Sequence, residues 1–308
     1  MRIAVIGPGA MGLLFGAYLS KNHEVTLIGR SEENMELIRE NGVLVHENDG
    51  TDTVYHPDAR VSVEGMEPVD LVVLFTKAGG SEAALENGKG LIGENTVLLT
   101  LQNGAGHEAL LKRYAKEEMI MLGTTQEGSF RVDPRHILHT GAGVTAMGPI
   151  TGEAARFQAI ADAFAGSGFE TTLSDSVQYM IWNKLMINAS SSVLTAVFQM
   201  QQGYVYTNPD AWELCKSLLR EMCAVATADG YPFDAEEQIA RLQKHLTTQA
   251  SGRPSISVDI KNHNLTEVRV INGAVLSAAH RLGIPVPTHE TIVRVVKGLE
   301  ARDPAKII

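Results

Sequence analysis

The sequence predicts an N-terminal α/β domain built on a parallel sheet, followed by an all-α C-terminal domain. Three observations carry this expectation. "RIAVIG" (Arg2–Gly7), a short β-rich run, leads straight into the glycine turn "GPGAMG" and a helix. "VDLVVLFTK" (Val69–Lys77) and "NTVLLTLQNG" (Asn95–Gly104) are nearly continuous apolar runs, the pattern of strands covered on both faces by helices. From about Asp175 onward strand signals vanish and long helical periodicities replace them. The expected boundary follows, with residues 1–174 as the first domain and 175–308 as the second.

The elements can be taken in order. After the first strand, "AMGLLFGAYLSK" (Ala10–Lys21) reads as a helix and "HEVTLIGR" (His23–Arg30) as the next strand. "SEENMELIRENG" opens with capping-box spacing at Ser31 and stops at Gly42. From Met119 to Gly148 come short strand-like pieces, "MIMLGTT", "HILHTGAG" and "VTAMGP", with Gly and Pro between them. A helix (Gly152–Ala165) and a strand (Phe169–Leu173) close the first domain. The helices that follow are broken at Pro209, at "GYPF" (Gly230–Phe233) and at "SGRPS" (Ser251–Ser255). No repeat and no low-complexity linker interrupts the chain.

Composition narrows the function. A chain of 308 residues suits two ordinary domains, and 44% hydrophobic with 20% charged residues is enough apolar material for a large core. The net charge of −10 argues against nucleic acid, which needs basic clusters. An anionic ligand must instead be held by a few placed lysines, arginines and helix ends. The two cysteines, Cys215 and Cys223, are too few for a disulfide framework and read as buried thiols of a reducing compartment. No apolar run approaches the roughly 20 residues of a membrane helix, and "MRIAVIG" already reads as a strand rather than a leader. The expected setting is the cytoplasm.

"GPGAMG" places Gly7, Gly9 and Gly12 in G-x-G-x-x-G spacing, after a strand and at the start of a helix. In that context the motif marks a Rossmann-type dinucleotide-binding domain. Gly7 permits the tight turn, Gly9 lets backbone approach a pyrophosphate, and Gly12 lets helix pack on strand. The N–H groups at the helix start, among Ala10, Met11 and Gly12, then face the anion. The plainer alternative is that the glycines serve only a tight βα turn. At the end of the second strand an NAD enzyme usually has an acidic residue for the ribose 2′-hydroxyl. Here "LIGRSEEN" puts Arg30 there, and a guanidinium pairs with a 2′-phosphate, so NADP (NADPH) is the expected cofactor. A surface arginine is the alternative, and Glu32 and Glu33 follow closely.

"WNKLMINASSS" (Trp182–Ser192) sets one lysine among apolar residues. A helix over Val177–Phe198 would align Lys184, Asn188, Ser191 or Ser192, and Thr195 in one narrow stripe, with Leu185, Met186, Ile187 and their like on the other faces. A solvated face normally carries several charges, so the stripe reads as facing a cavity rather than water. A desolvated lysine there has a lowered pKa and suits proton transfer.

These residues resemble the ketopantoate reductase (2-dehydropantoate 2-reductase) family over essentially the whole chain. The marks are "GPGAMG", Arg30, "FTK" at Lys77, "QNG" at Asn103, "WNKLMIN" with Lys184 and Asn188, and "TEVRVINGAV" with Glu267 and Asn272. The resemblance implies that Lys77 and Asn103 close over the cofactor's ribose and nicotinamide, with Asn103 also on the substrate side. It implies that Lys184 is the general acid, that Asn188 holds the substrate and that Glu267 binds the substrate hydroxyl and orients the lysine. Ser255 matches a serine that contacts the substrate carboxylate.

The residues themselves agree unevenly. Lys77 ends a buried strand, where open α/β sheets place ligands. Asn103-Gly104 also ends one, but Asn-Gly is equally a common turn. Glu267 falls in the helical-looking "NHNLTEVRVINGAVLSAA", where a solvated glutamate paired with Arg269 is the competing reading. There are departures. Ser192 stands where the family has a second asparagine, Arg269 where it often has an acid, and Glu127 lies in a loop that is generally small and uncharged. The implied activity is NADPH-dependent reduction of ketopantoate to D-pantoate, a step toward coenzyme A. The implied partner is a small 2-oxo acid, with neither nucleic acid nor membrane, and with a homodimer as the assembly to test. No metal is expected. The alternatives are a reductase or reverse-running dehydrogenase of another branched 2-oxo acid or 2-hydroxy acid, and a non-catalytic NADP sensor, which would have no use for Lys184 or Glu267.

Overall fold

Alternation of apolar runs with turns builds the first unit, and the computed structural model describes residues 1–302 of the chain. In chain order it contains β1 (Arg2–Ile6), α1 (Ala10–Leu19), β2 (Glu24–Ile28), α2 (Glu32–Asn41), β3 (Val43–His46), β4 (Asp52–Tyr55) and β5 (Asp58–Arg60). Then come β6 (Leu71–Leu74), α3 (Ser81–Gly88), β7 (Val97–Thr100), α4 (Glu108–Leu111), β8 (Ile120–Thr125), β9 (Gly128–Arg131), β10 (His136–Gly141), β11 (Thr145–Pro149), α5 (Gln158–Gly166) and β12 (Thr171–Leu173).

The main sheet has the order β12-β11-β8-β7-β6-β1-β2-β5. Strands β5, β2, β1, β6, β7 and β8 run parallel, β11 runs antiparallel to β8, and β12 is parallel to β11. The chain leaves β1 to form β2 on one side and β6 on the other. Their shared border is the switch point at which such sheets bind ligands. A second sheet, β4-β3-β10-β9, was not legible as such in the sequence.

Helix α1 packs on β1 and β2 and also on β3, β9 and β10 of the second sheet. This explains why "GLLFGAYL" is apolar all round rather than amphipathic: Gly12 through Leu19 are all buried. Within this core Phe15 stacks on Phe169, with centroids 4.2 Å apart, and tilts against Phe75 at 4.8 Å. Ser31 caps α2 as its spacing predicts, its hydroxyl accepting from Asn34 N at 3.3 Å.

The second unit is helical, with α6 (Val177–Ile187), α7 (Val193–Phe198), α8 (Gln202–Thr207), α9 (Pro209–Ala228), α10 (Ala235–Thr248), α11 (Ser255–Lys261), α12 (Asn272–Leu282) and α13 (Pro287–Glu300). By compactness it comprises the chain from Ile181 onward together with the short segment Asn103–Gly106, so the division falls within α6. The sequence places it in the loop just ahead of α6, and residues 303–308 of the expected second domain lie outside the described residues. Pro209 sits in the first turn of α9, where it needs no N–H partner, and Asn208 caps that helix by accepting from Ala211 N at 3.0 Å. Cys215 and Cys223 lie on α9, buried and not joined in a disulfide. Among the described residues no helix is long and apolar enough to cross a membrane.

Two expectations need correction. The single helix over Val177–Phe198 is interrupted by a π turn at Asn188–Ser192. Its serines explain the break. Ser190 Oγ donates to Met186 O and Ser191 Oγ to Ile187 O at 3.2 Å, and such back-bonding competes with the helical ladder. The stretch around Glu267 is not helical either, because α12 begins only at Asn272. There the Glu300 carboxylate accepts from Thr266 N at 2.8 Å and from the Thr266 hydroxyl at 2.6 Å, drawing that backbone out of helical geometry.

The glycine turn predicts a sharp contrast in stability. A Cβ at Gly12 would stand 2.1 Å from Gly7 O, whereas one at Gly9 meets nothing within 4 Å. Gly12→Ala should therefore cost about 1–3 kcal/mol in urea unfolding, and Gly9→Ala less than about 1 kcal/mol. Equal costs for the two substitutions would contradict this account of the turn.

Candidate active site

In the first unit the candidate site is the turn between β1 and α1. Gly7 has φ +98°, a conformation few side chains tolerate, and its N–H donates to Ile28 O at 3.0 Å. Gly9 N then donates to Gly7 O at 2.8 Å and Leu13 N to Gly9 O at 2.9 Å, which folds Gly7, Gly9, Ala10, Met11 and Gly12 into a compact hook. Helix α1 has no side-chain cap and no acidic residue in its first turn. Its first N–H groups and its positive dipole end are therefore left to an anion, and the open space at the Gly9 Cβ position lets a pyrophosphate approach. The residues fit a dinucleotide.

Other parts of the first unit frame this turn. Arg30 is exposed just beyond the end of β2, and Lys77 is exposed just beyond β6. Gln102, ahead of Asn103, stitches the ends of β6 and β7. Its Nε2 donates to Thr76 O and to Ser81 Oγ (2.9 Å), while its Oε1 accepts from Thr100 Oγ1 at 2.8 Å. The second sheet closes on the turn as well. Ser129 Oγ donates to Ala10 O and Arg131 Nη1 to Pro8 O, both at 3.2 Å. Sequence reasoning missed both residues. Their alternate positions on β9 were a signal, but only the fold reveals what that face meets.

The departure at Glu127 has a local explanation. Its carboxylate is buried against His139 Nε2 at 2.7 Å, while His139 Nδ1 lies 2.7 Å from Glu47, which also accepts from the Tyr18 hydroxyl. Burial opposes charging this histidine, but its bonds to Glu47 and Glu127 outweigh that and raise its pKa. Glu127 thus belongs to a buried ion cluster of the first unit.

The helical unit has a candidate cluster of its own. Lys184 is half-buried on α6, and desolvation pushes its pKa down to about 8 while the Glu267 carboxylate pulls the other way. Glu267 stands on a turn in which Val270 N and Ile271 N both donate to its carbonyl at 3.0 Å. The segment from Asn103 to Gly106 holds that turn. Asn103 Nδ2 donates to Glu267 Oε2 at 3.1 Å, and Ala105 N donates to Val270 O at 3.0 Å. Gly104, at φ +97°, approaches so closely that a Cβ would lie 2.1 Å from Val270 O. The Asn-Gly pair is therefore both a turn and a side-chain donor.

Arg269 does not pair with Glu267. Its Nη1 meets Glu300 Oε2 at 2.8 Å, and this leaves the Glu267 carboxylate to Asn103 and the field of Lys184. The expected polar stripe holds only in part. Asn188 is half-buried at the start of the π turn, but that wider turn shifts the residues after it off α-helical spacing. Ser191 and Thr195 are fully buried and bond their own helix, Thr195 Oγ1 donating to Ser192 O at 2.7 Å. Ser192 is buried at 4% exposure, and Ser255 is exposed at the first residue of α11.

Residues 3–152 match the family model of ketopantoate reductase (PanE/ApbA), and residues 176–300 match that of its C-terminal part. The chain belongs to the ketopantoate reductase family. It is 32% identical to a 2-dehydropantoate 2-reductase of Halobacterium salinarum, over 98% of this chain and 100% of that one. A 2-dehydropantoate 2-reductase of Streptococcus pyogenes is also 32% identical, over 98% of each chain. Among solved structures, D-mandelate dehydrogenase in a ternary complex with NADH and anilino(oxo)acetate superposes with a TM-score of 0.91 at 29% identity, covering 97% of this chain and 98% of that one. A probable 2-dehydropantoate 2-reductase of Bacillus subtilis superposes with a TM-score of 0.85 at 26% identity, covering 97% and 100%. The fold of this reductase-family chain, a parallel-sheet α/β unit followed by helices, is thus shared with both.

The opposing effects of burial and of the Glu267 charge on Lys184 set the expected pH behaviour. If the Lys184 ammonium donates the proton in catalysis, kcat/KM should hold at lower pH and fall as pH rises through about 8. Glu267→Gln removes the charge that raises the lysine and should move this alkaline limb to lower pH. Lys184→Ala should abolish the limb and lower kcat by about 10²–10⁴-fold, and Lys184→Arg should not restore it, because a guanidinium keeps its proton. An unmoved limb in Glu267→Gln would separate the carboxylate from the lysine.

Proposed function

We propose that the protein reduces 2-dehydropantoate (ketopantoate) to D-pantoate with NADPH, in the route to pantothenate and coenzyme A. The observation that supports this most is the half-buried Lys184, its pKa brought down to about 8, opposite a Glu267 carboxylate held by Asn103. A binding module has no need of such a poised acid.

When bound, the reduced nicotinamide supplies a hydride to the substrate's carbonyl carbon. The chain's own residues do the rest. The hook of Gly7, Gly9, Ala10, Met11 and Gly12 holds the pyrophosphate, Arg30 pairs with the 2′-phosphate, and Lys77 and Asn103 hold the ribose and nicotinamide. Lys184 gives its Nζ proton to the carbonyl oxygen as negative charge develops there, and water returns the proton afterwards. Glu267 accepts the hydrogen bond of the new hydroxyl and keeps Lys184 aimed. Asn188, Ser192 and Ser255 bind the substrate's polar groups, the carboxylate among them. The overall change is one hydride and one proton added to a 2-oxo acid. The two free cysteines suit a cytoplasmic setting.

The likeness to D-mandelate dehydrogenase supports a second reading, in which another 2-oxo acid is reduced with NADH. Ser192 in place of a second asparagine fits that reading too. Oxidation of the reduced cofactor measured against a panel of 2-oxo acids distinguishes them. Ketopantoate should lead the panel. Turnover of it about a hundredfold below another 2-oxo acid, roughly 2.7 kcal/mol of discrimination, favours the second reading.

Cofactor choice is tested on its own. NADPH should be preferred over NADH, and Arg30→Asp should reverse or abolish the preference by removing a charge-assisted contact worth about 1.5–3 kcal/mol. Equal kcat/KM for the two cofactors in the parent protein would rule out a phosphate-binding role for Arg30.

A further inference from the structure

Asn272, the first residue of α12, is 0% exposed and takes no part in the chemistry above. Its Nδ2 donates to Ala189 O at 2.7 Å and lies 3.2 Å from His289 Nδ1. Among the described residues its Oδ1 has no hydrogen-bond partner. The direction of the amide is forced. His289 Nε2 sits 3.0 Å from Leu218 O, so the ring keeps its proton there and offers Nδ1 as an acceptor. Burial holds this histidine neutral against the weaker opposing pull of the Leu218 carbonyl and the Glu221 carboxylate. A carbonyl oxygen and an unprotonated ring nitrogen thus face one end of the Asn272 side chain, and only its NH₂ end can meet both. An apolar residue would have avoided the orphaned oxygen, so the two donated bonds call for an explanation.

Their targets supply one. Ala189 lies in the π turn that follows Lys184, where widening takes a carbonyl off the regular ladder and opens it to a side-chain donor. Asn272 is also joined to the turn of Glu267, through Ile271 N donating to Glu267 O at 3.0 Å and Gly273 N donating to Val268 O at 2.9 Å. We infer that Asn272 is a positioning residue: its amide fastens the turn after Lys184 to the segment that carries Glu267, and so fixes the spacing of ammonium and carboxylate. His289 acts behind it by holding the amide the right way round. The inference deepens the proposed function, because its consequence for turnover rests on Lys184 being the acid.

The test reads Lys184 directly. Acetylation of the whole protein with limiting acetic anhydride across a pH series, followed by peptide mass spectrometry, gives the titration midpoint of this lysine without any substrate. Asn272→Ala should lower the midpoint by roughly half a pH unit or more, because the carboxylate drifts away while the apolar surroundings remain. Asn272→Leu, which fills the volume and still lacks the donor, should do the same and carries the test where the alanine variant does not fold. With Glu267→Gln already present, adding Asn272→Leu should shift the midpoint no further. In the same proteins kcat should fall roughly tenfold or more with the KM for NADPH unchanged. A folded Asn272→Leu protein whose Lys184 keeps the parent midpoint overturns the inference, even if its kcat has dropped. Such a result leaves Lys184 in place as the acid, because that role stands or falls with turnover by Lys184→Ala.

Discussion

A lysine ammonium held partly out of water is the constraint around which the helical unit is arranged. Desolvation weakens its hold on the proton, and the carboxylate of Glu267 opposes that shift. The balance depends on separation, so both groups have to be held. Lys184 is held by a helix that is apolar on most of its surface. Glu267 is held by a turn on which Asn103, Gly104 and Ala105 converge, with Val270 O as the shared anchor. Arg269 would disturb this balance if it faced Glu267, and its pairing with the largely buried Glu300 carboxylate keeps it away.

The first unit has a different constraint, which is to leave bare N–H groups at the N-terminus of α1 in a protein of net charge −10. It does so with backbone. The hook at Gly7 and the close contact at Gly12 hold the N-terminus of α1 against the sheet, and no acidic side chain stands in its first turn. The second sheet makes the hook rigid from the other side, through Ser129 and Arg131. That sheet is itself pinned by the buried cluster of Glu47, His139 and Glu127. Glu127, a departure from the family's small and uncharged loop, is thus part of the support of this turn.

The sequence by itself determined the class of fold, the glycine hook and the identity of the chemical groups. These are written in local patterns: apolar runs bounded by glycine for parallel strands, 3.6-residue periodicity for the helices after residue 174, and glycine spacing for the turn. Lys184 was legible because a single charge in an apolar helix is locally anomalous. The tertiary structure decided what these groups meet. Whether Glu267 faces Arg269 or Lys184 depends on where Glu300 folds back to, and no spacing near residue 267 encodes that. The π turn at Asn188–Ser192 escaped the periodic reading because serine back-bonding and a donor from a distant helix, Asn272, determine it together. Patterns of period two or 3.6 report which face of an element is buried. They are silent on which neighbour buries it, and hydrogen bonds between segments far apart in the chain are settled only when the core closes.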